Sequence, residues 1–264
     1  LPVPGLLANV RKDNDRVLGV VSKQYKLIQN HEAFNFMDCL LMDGVIRYES
    51  CGALKGGRIV WLLARMPEEF EVAAGDRLDS YILFHTSHDG TAAVRCLPTN
   101  VRVVCWNTFT TATAHDDQGM VIKHMGNING KLKEARDILT RSRQAHADYV
   151  AQAQALVKTS INMEKFTAYV NVLIPDEEGL NNMFRERTRK AIIAAFSDGP
   201  QNLPSVRGTA WAAFNAVTQV ADNASTYRTR GDNDPREYRM ISSLWGSNAK
   251  LKRSALNLAM TMVA

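Results

Sequence analysis

Residues 80–97, SYILFHTSHDGTAAVRCL, carry the pattern that decides the fold of this chain. Two arms rich in β-branched, aromatic and aliphatic residues flank the dipeptide Asp89–Gly90. Asp-Gly is typical of the tight turn of a β-hairpin, because its residues accept the positive φ angles that such a turn requires. The pattern therefore predicts two adjacent antiparallel strands, and the segments before it predict the rest of the same sheet.

The N-terminal segments add further strands. Residues 16–28 alternate in polarity and predict a strand with a turn near Ser22–Lys23. Residues 45–54 and 57–67 predict a hairpin around a KGG turn, and residues 69–73 predict a separate short strand followed by another turn. We therefore expect a twisted antiparallel sheet over residues 16–104.

One helix is predicted to pack on this sheet. Asn30 is a residue type that favours the N-cap, and Gly44 is one that favours a helix end. The predicted apolar face of the helix consists of Phe34, Met37, Cys39, Leu40 and Leu41.

The pattern becomes helical after about residue 127. Residues 129–160 predict one long helix with a stripe at alternating spacings of three and four residues. The stripe is poor in large apolar groups, which favours packing on a partner surface over a strong coiled coil. Its members are Leu132, Ala135, Leu139, Ser142, His146, Tyr149, Ala153 and Leu156. Further helices are predicted within residues 163–174, 182–198, 206–224 and 248–263.

These patterns predict an α+β fold, with a sheet-rich portion at residues 1–127 and a helical portion at 128–264 within one compact domain. Residues 105–127 form the join. There we expect a strand that ends near Val104 and a following helix rich in small and hydroxyl side chains.

Composition limits the class of protein. The 264 residues are 45% hydrophobic and 22% charged, as in soluble globular proteins, and the formal net charge is +5. No stretch approaches the roughly 20 apolar residues of a membrane span, and no signal peptide is recognisable. The four cysteines have neither CxxC nor zinc-like spacing, which favours free thiols in a reducing cytoplasm.

Residues 97–115, LPTNVRVVCWNTFTTATAH, raise the question of an enzyme. A nucleophilic cysteine needs a neighbouring histidine or a helix N-terminus that lowers the pKa of its thiol. For Cys105, His115 or His85 would be that histidine and Asn107 the residue that orients it. A cysteine in an apolar run is more often a buried space-filling residue. An enzyme that uses Cys105, His115 or His124 therefore stays an alternative, and we expect no catalytic residue, metal site or small-molecule cofactor.

Cations and aromatic residues favour nucleic acid as a partner. Residues 201–264 contain 8 Lys and Arg against 4 Asp and Glu, so the positive charge is concentrated toward the C-terminus. Cations that follow a phosphate backbone, beside aromatic stacking faces, are typical of single-strand binding; the alternative is that these side chains only form solvated surfaces. The helix that contains Trp211, with Ala210, Ala213, Phe214 and Val217 on its apolar face, is predicted to be core. The predicted binding residues are Arg95, Arg102, Lys123, Lys131, Lys133, Arg207, Arg228, Arg230 and Arg239.

Four strings together resemble a known family. They are SHDGTAAVRCLPTNVRVVCWNT, IKHMGNINGKLKEARDIL, RGTAWAAFNAVTQVAD and SLWGSNAKLKRSALNLA. In order and content they are similar to the phage/plasmid-like proteins catalogued as a domain of unknown function (DUF932-like), over roughly residues 15–260. The matching positions include Pro98, the string from Arg102 to Thr108, Lys123–His124 and Gly208–Trp211. Members usually carry an N-terminal extension with a WHGLG-like string, which does not occur in this sequence.

The resemblance implies a phage, plasmid or integrated element in a bacterial cytoplasm, with no established activity. The phage single-strand annealing recombinases have a similar predicted arrangement of a β-sheet backed by helices, and this analogy suggests a function. The leading hypothesis is a protein that binds single-stranded DNA and promotes annealing or recombination as a homo-oligomeric ring or filament, without a membrane. The alternative of another class is a non-enzymatic oligomeric scaffold or a host-interaction (anti-defence) protein.

Overall fold

The computed structural model of the protein describes residues 4–25, 27, 29–42, 44, 46–91, 95–102, 105–110, 120–121, 128–179, 182–200, 202–224, 242 and 246–263. Contacts divide the chain into two compact units. Unit 1 comprises Leu1–Glu68, Ser80–Thr99 and Ala112–Ala145, and unit 2 comprises Glu69–Asp79, Asn100–Thr111 and His146–Ala264. Both units contain residues from before and after position 127.

The fold is α+β, as the sequence predicts. Its strands are β1 Leu6–Val10, β2 Val17–Ser22, β3 Arg47–Leu54, β4 Ile59–Ala73, β5 Asp76–Ser87, β6 Arg95–Arg102, β7 Cys105–Thr110 and β8 Met120–Val121. Its helices are α1 Asn30–Met42, α2 Ile128–Lys158, α3 Met163–Leu173, α4 Met183–Asp198, α5 Ala210–Gln219 and α6 Ser247–Met260.

The strands form two sheets. β1 and β2 are an antiparallel hairpin, and the larger sheet has the order β3-β4-β5-β6-β7, with β8 paired to β6. The hairpin predicted around KGG is confirmed, since β3 pairs with β4 across a 3₁₀ turn at Lys55–Gly57. β5 and β6 are sheet neighbours joined through Asp89–Gly90, but the connection runs from residue 88 to 94, and only Gly90 of the two has a positive φ, 78°.

Three predictions of local structure were wrong. Residues 69–73 are not a separate strand but continue β4 through Pro67. Pairing between β3 and β4 ends at Arg65, so the proline takes no hydrogen bond from that ladder. Residues Cys105–Thr110 form strand β7 and not the beginning of a helix. The β-branched and aromatic residues of this segment suit a strand, and the sheet supplies a neighbour for it.

The third correction concerns the start of α1. The carbonyl of Gln29 accepts the first helical hydrogen bond, from the Ala33 N–H at 2.9 Å. The Glu32 carboxylate in turn accepts the Gln29 N–H at 3.0 Å, as in a capping box. Gln29 is therefore the N-cap, and the Asn30 side chain bonds to His88 instead.

The core of unit 1 lies between its sheet and two helices. Met37 of α1 and Ile138 and Leu139 of α2 pack with strand residues such as Ile82 and Phe84. β5 is buried on both faces from residue 80 to 87, which explains its uninterrupted apolar run Tyr81–Phe84.

The core of unit 2 surrounds α5. Nine residues of this helix are buried, including Trp211, whose indole N–H donates a 2.6 Å hydrogen bond to the buried Asp76 carboxylate. Phe166 and Phe196 stack with ring centroids 4.0 Å apart. The prediction that Trp211 belongs to the core is confirmed.

The stripe predicted along α2 is buried within the chain. The six members whose side chains are described, Leu139, Ser142, His146, Tyr149, Ala153 and Leu156, are all buried. The surface expected to cover this stripe is therefore supplied by the same chain.

Candidate nucleic-acid interface

Five cations of unit 1 come together where the β1–β2 turn meets the β3–β4 turn. We call Arg11, Lys12, Arg16, Lys55 and Arg58 the basic rim. Gly56 has a φ of 65°, and a Cβ on it would collide with the guanidinium of Arg16. A Cβ on Gly57 would lie 3.0 Å from Nη1 of Arg11. The two guanidinium groups therefore rest on the Lys55–Gly57 turn, a close approach that the absence of side chains permits.

The basic rim has a net positive charge. Its two turns contain five cations and two carboxylates, Asp13 and Asp15. Asp13 accepts hydrogen bonds from Nε and Nη2 of Arg11 at 2.9 and 2.5 Å, and this bond lowers the pKa of the carboxyl. Lys12, Arg16, Lys55 and Arg58 are exposed, so four cations face solvent and are free to meet an anion.

A cavity of about 510 Å³ adjoins the basic rim within unit 1. Its volume falls in the range of small-molecule sites. Its walls combine two aromatic rings, aliphatic side chains and a few polar groups. The lining residues are Arg11, Leu18, Asn30, Phe34, Cys51, Gly52, Ala53, Gly57, Val60, Trp61, Leu62 and His88.

The indole ring of Trp61 can lie in the cavity wall because its cross-strand partner, a glycine, has no side chain. Gly52 of β3 pairs directly with Trp61 of β4, and a Cβ on Gly52 would lie 3.0 Å from three atoms of the indole ring. The ring therefore lies across the backbone of β3. Phe34, on the first turns of α1, provides the second aromatic side chain.

The polar wall of the cavity is a hydrogen-bonded set around His88. Its N–H donates to the Arg58 carbonyl at 2.7 Å, and its carbonyl accepts the Asn9 amide at 2.7 Å. Its Nε2 lies 2.9 Å from Oδ1 of Asn30. Burial lowers the pKa of His88, and Asp89 opposes this shift. Because an amide oxygen only accepts hydrogen bonds, the Nε2–H of His88 donates to Oδ1 of Asn30.

Arg95, the first predicted binding residue, lies beside a buried histidine. It begins β6, next to β5, and its positive charge together with burial lowers the pKa of His85 to about 4, burial being the larger cause. The Nε atom of Arg95 is buried. This cation is thus partly enclosed by unit 1.

His85 should make the protein sensitive to acid. The unfolded chain takes up a proton near pH 6.5 and the folded chain only near pH 4, so stability is complete above 6.5 and is lost as the pH falls toward 4. The loss attributable to His85 is roughly 3 kcal/mol. Replacing His85 by Gln should flatten the dependence of the free energy of unfolding on pH in this window, as measured by urea denaturation at several pH values. Replacing the exposed His31 by Gln is the control, and an equally steep profile in the His85 variant would contradict the assignment.

Of the other predicted binding residues, those that the structure describes belong to two different units. Arg102 ends β6, Lys131 and Lys133 lie in the first turns of α2, and Arg207 is exposed shortly before α5. Lys131 and Lys133 belong to unit 1, whereas Arg102 and Arg207 belong to unit 2. Lys123, Arg228, Arg230 and Arg239 lie outside the described residues.

Most residues of the cysteine hypothesis are not among those that the structure describes. The Cys105 and Asn107 side chains, His115 and His124 lie outside the described part of the chain. Cys96 is buried, which raises the pKa of its thiol, and Cys51 is exposed on the cavity wall. Among the described side chains, no three His, Cys, Asp or Glu residues are grouped as metal ligands. Within the same residues, no helix combines the length and apolar character needed to cross a bilayer.

Comparison with known proteins identifies the family. Residues 17–245 match the domain of unknown function DUF932. The chain belongs to the DUF932 family. No curated protein and no solved structure matches it.

The DUF932 match includes most of the candidate interface. Eleven of the twelve cavity residues fall within it, as do Lys55 and Arg58 of the basic rim, whereas Arg11, Lys12 and Arg16 precede it. The family string at 208–211 has structural roles in unit 2. Thr209 is the N-cap of α5, accepting the Ala212 N–H at 3.2 Å, and Trp211 is held by Asp76.

Sequence reasoning missed both the basic rim and the cavity. The apolar-rich residues Leu6–Val10 and the polar segment Lys12–Asp15 were the available signals for a hairpin. No local pattern indicates that Asn30, Trp61 and His88 surround one cavity, since they come from three distant segments.

Proposed function

We propose that the protein binds single-stranded DNA through the basic rim of unit 1 and promotes the annealing of complementary strands. The observation that carries this proposal is that Arg11 lines a cavity with aromatic residues in its wall, that Arg16 lies on the neighbouring Gly56, and that the other cations of the basic rim belong to the same two turns. Single-strand binding needs both parts, because cations hold the phosphates and aromatic rings stack on the bases.

The electrostatic part of the proposal rests on the exposure of the cations. Lys12, Arg16, Lys55 and Arg58 are exposed, and the Arg16 guanidinium lies against Gly56 of the Lys55–Gly57 turn. Exposed cations attract a strand over a distance set by salt, and each neutralised phosphate releases counterions. Binding through the basic rim should therefore weaken steeply as salt is raised.

Neutralising the basic rim tests this proposal. In a variant carrying Lys12→Gln, Arg16→Gln, Lys55→Gln and Arg58→Gln, affinity for a labelled single strand should fall. The slope of log affinity against log salt should become shallower by about 0.7 for each phosphate that the protein no longer neutralises, up to about 2.8. Fluorescence anisotropy over a series of salt concentrations measures both quantities.

A variant of equal charge change in unit 2 is the matched control. Lys158, Lys165, Arg187 and Lys190 are exposed and can be replaced by Gln together. This variant should keep the wild-type salt slope. If the two variants lose affinity equally, net charge explains the effect and the basic rim does not; wild-type protein that binds no strand overturns the proposal altogether.

The segment between α5 and α6 is the competing location. It contains Arg228, Arg230 and Arg239, which remain predicted binding residues. If the strand binds at the basic rim, a variant with these three residues replaced by Gln should still lose affinity when the basic rim is neutralised. If this variant abolishes binding while the basic-rim variant binds normally, the interface lies in that segment.

An oligomeric scaffold is the second candidate function. The outer face of the β1–β2 hairpin favours it, since Leu6, Val10, Val17 and Val20 are each more than two-fifths exposed. Cross-strand pairing places Val10 opposite Val17 and Ala8 opposite Val20, so these side chains share one apolar face. Light scattering with and without DNA separates the candidates, because a closed oligomer that forms without DNA and carries none favours the scaffold.

A further inference from the structure

The unit 1 cavity has the shape and chemistry of a site for one ring system. Its volume of about 510 Å³ exceeds what a bare phosphate would need, and small-molecule sites span about 300–1,000 Å³. Phe34 and Trp61 provide aromatic surface, and Leu18, Val60 and Leu62 complete an apolar wall. Such a wall favours a planar, weakly hydrated ligand over a flexible polar one.

The polar wall offers hydrogen bonds of a fixed kind. The Asn30 carbonyl oxygen is occupied by Nε2 of His88, which fixes the orientation of the amide. The amide nitrogen of Asn30 makes no hydrogen bond to the described residues and is left as a donor. Asparagine amides recognise the edges of nucleobases in protein complexes with nucleic acids.

Cations of the basic rim lie beside the cavity, where a phosphate would need them, and of these Arg11 is itself paired with Asp13. Arg11 belongs both to the cavity wall and to the basic rim. Its guanidinium lies close to the backbone of Gly57, which has no side chain in the way. Arg16 lies on the neighbouring Gly56. A ligand with an aromatic ring in the cavity and an anionic group at the basic rim would therefore need only a short connection between the two.

We propose that the unit 1 cavity holds the base of one nucleotide whose phosphate contacts the basic rim, whether the nucleotide is free or part of a strand. This inference rests on the proposed function, because it assigns one unit of the bound strand to a particular site. The base leaves the stack of its neighbours and inserts beside Trp61 and Phe34. The remaining nucleotides follow the cations outside.

Cys51 provides a direct test, because its thiol is exposed and lies on the cavity wall. The rate of Cys51 alkylation is measured by peptide mass spectrometry with a mononucleotide, with ribose 5-phosphate, with a single strand and with an abasic strand. At a nucleotide concentration ten times the dissociation constant, about a tenth of the sites stay free, so the rate should fall about tenfold. The intact strand should protect equally, whereas ribose 5-phosphate and the abasic strand should not protect.

Filling the cavity gives a second readout. Ala53 is exposed on β3 and lines the cavity, so Ala53→Leu should fill it without disturbing the core. This variant should lose the difference in affinity between intact and abasic strands and keep the wild-type salt slope. Ala151→Leu, at an exposed position of α2, is the control.

The outcomes separate this inference from the proposed function. If the intact strand binds with the expected salt slope but the abasic strand protects Cys51 equally, the base does not enter the cavity and the inference is overturned. The same holds if neither ligand changes the alkylation rate although the strand binds. If no strand binds but the mononucleotide protects Cys51, the proposed function fails while the nucleotide site stands.

Discussion

Replacing Trp211 by Ala is expected to lower the free energy of unfolding by about 3–5 kcal/mol, the usual cost of removing a buried aromatic side chain. The indole is fully buried in unit 2 and packs against Tyr149 and Phe214, with ring centroids 5.9 and 5.4 Å away. Its loss would leave a large cavity in this core. Urea denaturation followed by circular dichroism measures the change.

Trp211→Phe separates packing from hydrogen bonding. This variant keeps most of the aromatic volume but removes the N–H that donates to Asp76 at 2.6 Å. A hydrogen bond to a charged group contributes about 1.5–3 kcal/mol, so an intermediate loss is expected. Val172→Ala, at an exposed position of α3, should have almost no effect. A loss below about 1 kcal/mol for Trp211→Ala would contradict the placement of Trp211 in the core.

Replacing Lys252 by Met should destabilise the protein by about 3–5 kcal/mol, because it leaves a buried carboxylate without its cation. The Lys252 side chain is 1% exposed and that of Asp222 is 4% exposed. The ammonium lies 2.9 and 3.3 Å from the two carboxylate oxygens. Burial lowers the pKa of Lys252, and Asp222 opposes that shift, so the pair depends on both members.

Two further variants isolate the effect of the pair. Lys250→Met changes the same charge at an exposed position of α6 and should leave the melting temperature nearly unchanged. Lys252→Met combined with Asp222→Leu removes both charges and should recover most of the stability lost in the single variant. Thermal denaturation should show a fall on the order of 10 °C for Lys252→Met. A double variant less stable than the single one would contradict a coupled buried pair.

Local sequence patterns predicted much of the fold. Alternation and turn residues were sufficient for the hairpin around Lys55–Gly57, and helical spacing was sufficient for α2, whose described stripe is buried as a unit. Where the patterns gave a wrong prediction, the deciding factor was a neighbouring strand of the sheet, which a local pattern does not contain. Cys105–Thr110 becomes β7 because the sheet continues beyond β6, and a neighbouring strand is not visible in the local sequence.

The candidate interface depended on contacts that no local pattern contains. Arg11 and Arg16 acquire their positions from Gly57 and Gly56, about forty residues later in the chain. Asn30 looked like a helix cap, but its partner is His88, 58 residues away. The sequence pointed to cations as the functional side chains, and the structure adds a second set of cations beside a cavity.

The most direct test of the central claim is to map which lysines a bound strand protects from amine modification. Lys12 and Lys55 of the basic rim, and the exposed Lys158, Lys165 and Lys190 of unit 2, can be followed together by mass spectrometry. Binding through the basic rim predicts that a saturating single strand slows the modification of Lys12 and Lys55 and leaves the three unit 2 lysines unchanged. Unchanged modification of Lys12 and Lys55 under conditions in which the strand is bound would contradict the account.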